Sequence, residues 1–192
     1  MKNKLSLVKL TCRNYFSDRR LKKTALMFIV IVFFCCFGFF LHLPEKAAAS
    51  FMKADKVIVI KSKRLMMLTR EGEILKIYKV ALGKQPNGHK TKAGDKRTPE
   101  GTYLLDSRNS DSKFHLAIHI SYPNESDSMN AQKRGVLPGG DIMIHGLSEK
   151  NKTIGKLHRT SDWTDGCIAV TNPEIEEIWK LVPDGTPIEI KP

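Results

Sequence analysis

Cysteine is scarce in this chain. Of four cysteines in 192 residues, Cys12, Cys35 and Cys36 precede residue 50, and Cys167 alone lies beyond it. That excludes an intrachain disulfide within residues 50–192 and the multi-cysteine zinc modules. Acid is almost missing from the start: residues 1–24 carry eight Lys/Arg against Asp18 alone. Charge of either sign is missing from Ala25 to Leu41. The sequence also has no internal repeat and no low-complexity tract beyond its leader, which excludes repeat arrays and a disordered chain.

The uncharged run is rich in Phe, Ile and Val. As a helix at roughly 1.5 Å per residue it reaches about 25 Å, close to the hydrocarbon thickness of a bilayer. A basic flank before such a run stays in the cytoplasm and sends the following chain outward. The expected organisation is a basic cytoplasmic leader over 1–24, a signal anchor or signal-peptide core over 25–43, a linker over 44–55, and an exported domain over 56–192. Ala47-Ala48-Ala49 offers a cleavage site, so a retained membrane anchor and a cleaved signal both stay open. The leader also accounts for most of the basic balance. It supplies +7 of the total +12, and residues 50–192 keep +5. A polybasic tract in this position is topological, so nucleic acid is not the expected partner; the remaining charge suits an anionic wall or membrane surface. About 143 residues are enough for one ordinary core.

Residues 50–192 read as strand-rich. Lys56–Lys61 and Arg64–Arg70 are short apolar strands, and Glu71-Gly72-Glu73 turns into a third segment, Ile74–Gly83. Pro86–Arg97 has no large apolar residue and reads as an exposed loop. Strands are expected at Thr102–Leu105, Phe114–Tyr122 and Asp141–His145, then a long polar connection over 147–166. Asn172-Pro173-Glu174 opens a helix with Asn172 as its cap, Ile175, Ile178 and Trp179 line one face, and Thr186–Lys191 closes the chain as a strand.

A lone thiol in an exported domain is either reactive or half of an intermolecular bridge. Cys167 follows Gly166, and His145 ends a strand 22 residues upstream. A Cys–His pair is the composition of a nucleophile and its base, with the imidazole expected to hold the sulfur as thiolate. Gly166 lets the backbone pass close to a substrate, and the N–H groups of Gly166 and Cys167 are candidate donors to an oxyanion. His158 is a second, weaker candidate for the base. His115 and His119, four apart on a strand, do not have a zinc spacing.

Several dispersed motifs then resemble one family. Ile144-His145-Gly146, the Gly155-Lys156 segment, Thr164-Asp165-Gly166-Cys167-Ile168, Asn172 and Asp184-Gly185-Thr186-Pro187-Ile188 look like the catalytic-domain signature of bacterial L,D-transpeptidases, as does Thr98-Pro99-Glu100-Gly101 upstream. The resemblance implies a mostly β, sandwich-like domain with small helices, here preceded by an N-terminal apolar helix. It implies a cysteine acyltransferase acting on peptidoglycan stem peptides through a thioester, with Cys167 as nucleophile and His145 as proton donor and acceptor. Gly146 would orient the imidazole through its carbonyl, and no metal or organic cofactor is needed.

Two residues depart from that pattern. Asp165 stands where the family usually has histidine, and Ala169 where it usually has arginine. Asp165 is therefore a candidate for shaping or positioning the cysteine loop, and an acid beside a thiol raises its pKa. The absent arginine leaves open how a substrate carboxylate is read. A hydrolase on the same site (an L,D-carboxypeptidase or amidase) and a non-catalytic wall-binding module are the alternatives.

Overall fold

The structure is a computed structural model and describes residues 53–192. The leader, the apolar run and most of the linker lie outside the described residues, and with them the expected N-terminal helix.

Eight strands form one sheet. In chain order they are β1 (Lys56–Ile60), β2 (Leu65–Arg70), β3 (Glu73–Lys79), β4 (Gly101–Ser112), β5 (His115–Ile120), β6 (Met143–His145), β7 (Ile168–Ala169) and β8 (Thr186–Lys191). Two α-helices, α1 (Glu125–Lys133) and α2 (Asn172–Leu181), interrupt them. The spatial order is β3-β2-β1-β8-β4-β5-β6-β7, with β1/β8 and β6/β7 parallel and the other pairs antiparallel.

The sheet is continuous and curled rather than split into the two layers of a sandwich. Beyond β3 the chain runs on to meet the opposite edge: Ala81 and Ala169 exchange both backbone hydrogen bonds, at 3.0 and 2.9 Å, and Lys84 N–H donates to Thr164 O at 2.9 Å. Curling brings the two edges together and satisfies groups that open edges would leave exposed. It also sets the cysteine loop against the segment that leaves β3.

Period-two burial explains the core. Leu68, Val57, Ile188 and Tyr103 stand side by side across β2, β1, β8 and β4, and all four are buried. Helix α2 lays Ile175 and Ile178 onto this core. Truncating Ile178 to alanine should cost about 2–5 kcal/mol, since the well-packed site leaves a cavity; a denaturant titration would read it as a lower midpoint at unchanged slope.

Three expected features shift. Strand β4 extends through Ser112, past the end of its apolar pattern, because its polar half is used. There Arg108 donates to the Trp179 and Val182 carbonyls at the C-terminal end of α2, pairs with Asp184, and lies 4.8 Å from the Trp179 ring centroid. Helix α1 stands where no element was expected: its sequence has little apolar content, and a reciprocal capping box between Asn124 and Asp127 defines its start. The 86–97 loop holds a buried ion pair, Lys90 Nζ to Asp95 Oδ1 at 2.9 Å, and is not wholly solvated.

Candidate active site

Strand register decides which side chains share a wall. Ile144 pairs with Ile168 across β6 and β7, and both are fully buried in the core. Alternation turns His145 to the other face, together with Ala117, its partner on β5. Cys167, one residue ahead of β7, falls level with Met143 on that same face. A cavity of about 510 Å³ opens there, and Met143, His145, Cys167 and Phe114 are among its lining. Strand geometry sets the Cα atoms of His145 and Cys167 on a diagonal of about 8 Å, a separation that long side chains span.

His145 is almost fully buried and held in one tautomer. Its Nδ1 lies 2.7 Å from Gly146 O. A carbonyl only accepts, so Nδ1 carries the proton and Nε2 keeps its lone pair. The Phe114 ring stacks on the imidazole at 4.5 Å between centroids, and Trp163 meets it edge-on at 5.8 Å. Burial lowers the His145 pKa; the Gly146 carbonyl opposes that shift, and the charge of Lys113 adds to it. The Gly146 carbonyl is thus the one hydrogen-bond partner of the ring among the described residues.

Gly146 is also dictated by its neighbour on α2. A Cβ there would stand 2.7 Å from Asn172 Oδ1, which accepts the Leu147 N–H at 2.6 Å. Asn172 thus fixes the chain leaving His145 and does not cap the helix as expected. The cap is Thr171, whose reciprocal partner is Glu174. Glu174 in addition pairs with Arg159, tying the 3-10 segment Lys152–Thr160 to the start of α2.

Burial would raise the Glu174 pKa, but Arg159 and Thr171 hold it below the ordinary carboxylate value. A depressed pKa stabilises the fold above the unfolded-state value near 4.5, and that contribution is lost as pH falls through the folded value. Glu174→Gln should therefore destabilise by about 1–3 kcal/mol at pH 7, and the gap to the parent should shrink in melts run below pH 4.5.

The cysteine loop is organised by Thr164. Its Oγ1 donates to Cys167 O at 2.7 Å and accepts the Gly166 N–H at 3.1 Å. Gly166 sits at φ +136°, and a Cβ there would meet Arg97 O at 2.8 Å. The Gly166 N–H is thus engaged inside the turn, which removes it from the two expected oxyanion donors. Asp165 points away: its side chain is 80 % exposed and its nearest cation is Lys84, at 3.3 Å. It does not line the cavity, so a direct positioning role is not what the geometry assigns to it.

Cys167 Sγ donates to Asp141 O at 3.5 Å, and no hydrogen bond joins it to His145 among the described residues. Burial pushes the thiol pKa up, and the carboxylates of Asp141 and Asp165 push it further. The Met143 N–H at the sulfur and the charge of Lys90 act in the opposite direction. Both shifts favour the neutral forms of the thiol and the imidazole, in the direction opposite to the expected thiolate. What remains is a neutral thiol and a neutral base whose free nitrogen faces the same cavity, contacts of a kind that tighten when a substrate is bound.

The other histidines are elsewhere. His158 sits behind Trp163, whose Nε1–H donates to His158 Nδ1 at 3.5 Å, and it lines a separate cavity of about 260 Å³. Burial and the adjacent Arg159 lower its pKa to about 4. His115 and His119 bond separate carboxylates, Glu176 at 2.8 Å and Asp106 at 2.6 Å. Sequence reasoning missed Phe114, Met143 and Asp141 around the pair. The position of Met143 two residues before His145 on one strand was the available signal.

A curled sheet with a thiol and an imidazole on one cavity wall, beside an ordered loop at the sheet's closing seam, defines a class of cysteine–histidine domain. The family model for the YkuD L,D-transpeptidase catalytic domain matches residues 54–190, and the chain belongs to that family. It is 31% identical over 113 residues to YafK of Escherichia coli (strain K12), a protein provisionally named as an L,D-transpeptidase. The match covers 57% of this chain and 38% of YafK, so this chain spans well under half of that relative. Among solved structures, the helical cell shape determining protein Pgp2 from Campylobacter jejuni is similar in fold: TM-score 0.54, 22% identity, 73% of this chain and 48% of that one. Bd1075 of Bdellovibrio bacteriovorus is similar with TM-score 0.50 and 27% identity over 72% of this chain and 47% of its own.

Proposed function

We propose that this chain is an exported L,D-transpeptidase-type cysteine acyltransferase acting on peptidoglycan stem peptides. The observation that carries the reading is the sharing of one cavity by Cys167 and an imidazole whose Nδ1–H is committed to Gly146 O. That commitment leaves Nε2 as the only imidazole nitrogen able to take the thiol proton. Export rests on the basic leader followed by the apolar run.

In this reading His145 Nε2 removes the Cys167 proton as Sγ attacks a peptide carbonyl carbon. The C=O electron pair moves onto oxygen, and the Cys167 N–H is the loop's remaining candidate donor to that oxyanion. Collapse breaks the C–N bond, and the leaving amine takes the proton from His145. A thioester stays on Cys167. The nitrogen of an incoming amine bonds to the thioester carbon as its proton passes to His145; the C–S bond then breaks, and His145 returns the proton to the leaving sulfur, restoring the thiol. A neutral resting pair suits this sequence, because His145 begins as a base and serves as acid only after the thiol has ionised.

The test is to incubate the full-length chain with a tetrapeptide muropeptide, with and without added D-amino acid, and to identify products by mass spectrometry. Exchanged or cross-linked peptide is the expected result. Bare tripeptide as the sole product, with added amine ignored, would replace the transferase reading by the hydrolase.

A further inference from the structure

His145 belongs to a triangle of rings. Phe114 stacks on the imidazole at 4.5 Å between centroids, Trp163 meets it edge-on at 5.8 Å, and Phe114 and Trp163 approach each other at 6.2 Å. All three separations lie in the range of favourable aromatic pairs, roughly 4.5–7 Å. A single hydrogen bond, from Nδ1 to Gly146 O, fixes the tautomer but leaves the ring slack to tilt, and Nε2 on the far side moves most. Its aim therefore falls to the two rings that clamp it.

The indole is held from behind. Its chain neighbours are pinned to Leu82: Asp162 Oδ1 accepts the Leu82 N–H at 3.0 Å, and the Thr164 N–H donates to Leu82 O at 3.1 Å. Its own Nε1–H donates to His158 Nδ1 at 3.5 Å, with the two rings 6.4 Å apart at 84°. Nδ1 accepts only when unprotonated, so this contact needs neutral His158. Burial and the charge of Arg159 lower the His158 pKa to about 4, which keeps the ring neutral at ordinary pH. His158 is buried and its Nε2 has no partner among the described residues, so the indole is the one bond its ring makes there.

We infer that Trp163 is a positioning residue that aims His145 and keeps water from its ring, and that His158 is the anchor of that indole. The inference rests on the reading of His145 as the base and goes beyond it, giving His158 a part other than that of a second base. The charged and titratable groups facing His145 are Lys113 on the β4–β5 turn, Cys167 across the cavity and His158 behind the indole; Arg159 and, from α2, Glu174 face His158. Trp163 carries no charge, so its removal admits water to His145 and leaves those groups in place. Better solvation of the imidazolium then returns the His145 pKa toward 6.5.

Protonation can be followed apart from turnover. The full-length Cys167→Ala chain with isotope-labelled histidine would be titrated by NMR, the His145 signal being assigned by its loss in His145→Ala. Trp163→Ala should raise the His145 midpoint by about half a pH unit or more, and Trp163→Phe, which keeps an apolar ring, by less. His158→Leu should move it the same way, whereas His158→Gln, whose amide oxygen accepts the indole N–H, should keep the parent value. In the chain that retains Cys167, Trp163→Ala should lower kcat about tenfold or more with KM within about twofold, and should move the acid limb up with the midpoint. A His145 midpoint unchanged in both Trp163 variants would overturn the role of Trp163, and equal midpoints in His158→Leu and His158→Gln would overturn the anchor. If the parent chain turns over no stem peptide, the acyl-transfer reading fails while the titration still decides what Trp163 does to His145.

Discussion

Replacing Cys167 with alanine should lower turnover of a stem tetrapeptide by about 10⁴-fold or more while leaving the fold intact. The two halves of that expectation have separate physical grounds. Activity collapses because no other thiol is found in residues 50–192, and the Ser112 hydroxyl that also lines the cavity is engaged by the Phe114 N–H at 3.1 Å. Stability is spared because the sulfur makes only one long donor contact, to Asp141 O at 3.5 Å, and the loop is held by Thr164 and Gly166 instead. A change in unfolding free energy within about 1 kcal/mol is expected, as for substitutions that create no large void. Thermal melts beside product assays on the same preparation check both parts.

His145→Ala should cost about 10³-fold in kcat/KM and should also change the shape of the pH profile. Burial lowers the His145 pKa from its ordinary value of 6.5, so the neutral, proton-accepting imidazole is present above the lowered value and is lost as pH falls through it. The acid limb of the parent's kcat/KM should therefore lie below pH 6.5, and it should vanish in the variant. Burial together with Asp141 and Asp165 pushes the thiol pKa up from its ordinary value, so the protonated thiol is favoured in the free enzyme at neutral pH. Iodoacetamide should accordingly label the folded chain at pH 7 more slowly than the unfolded chain. Fast labelling with a flat profile down to pH 5 would point instead to a standing ion pair.

Most of the strands could be read from period-two apolar patterns, because burial on one face of a sheet leaves that imprint directly. Val57, Val59, Met66, Leu68, Ile188 and Ile190 illustrate it, and all are buried. Elements held by polar contacts left little imprint. The second half of β4 exists for Arg108 and its carbonyl partners, and α1 has a capping box but almost no apolar face. The helix start at α2 slipped by one residue because Asn172 has the chemistry of a cap but spends its side chain on Leu147.

The candidate pair, Cys167 and His145, could be picked out because cysteine scarcity isolates one thiol and a strand end isolates one histidine. Its protonation state could not, because it depends on burial and on Asp141 and Met143, which strand curvature brings to the sulfur. The closure of the sheet through Ala81 and Ala169 was equally hidden: it is a contact between edges far apart in the chain, and two alanines carry no pattern that announces it. Asp165 shows the reverse. A residue next to the cysteine in sequence is turned out to solvent toward Lys84.

The most direct test of the account is to trap the covalent intermediate. The full-length chain would be mixed with a tetrapeptide donor, quenched in acid within seconds, digested and sequenced by mass spectrometry. The account predicts the tripeptide acyl mass on Cys167, absent when His145 is alanine. An adduct on any other residue, or product released with no acyl mass ever found on Cys167, would contradict it.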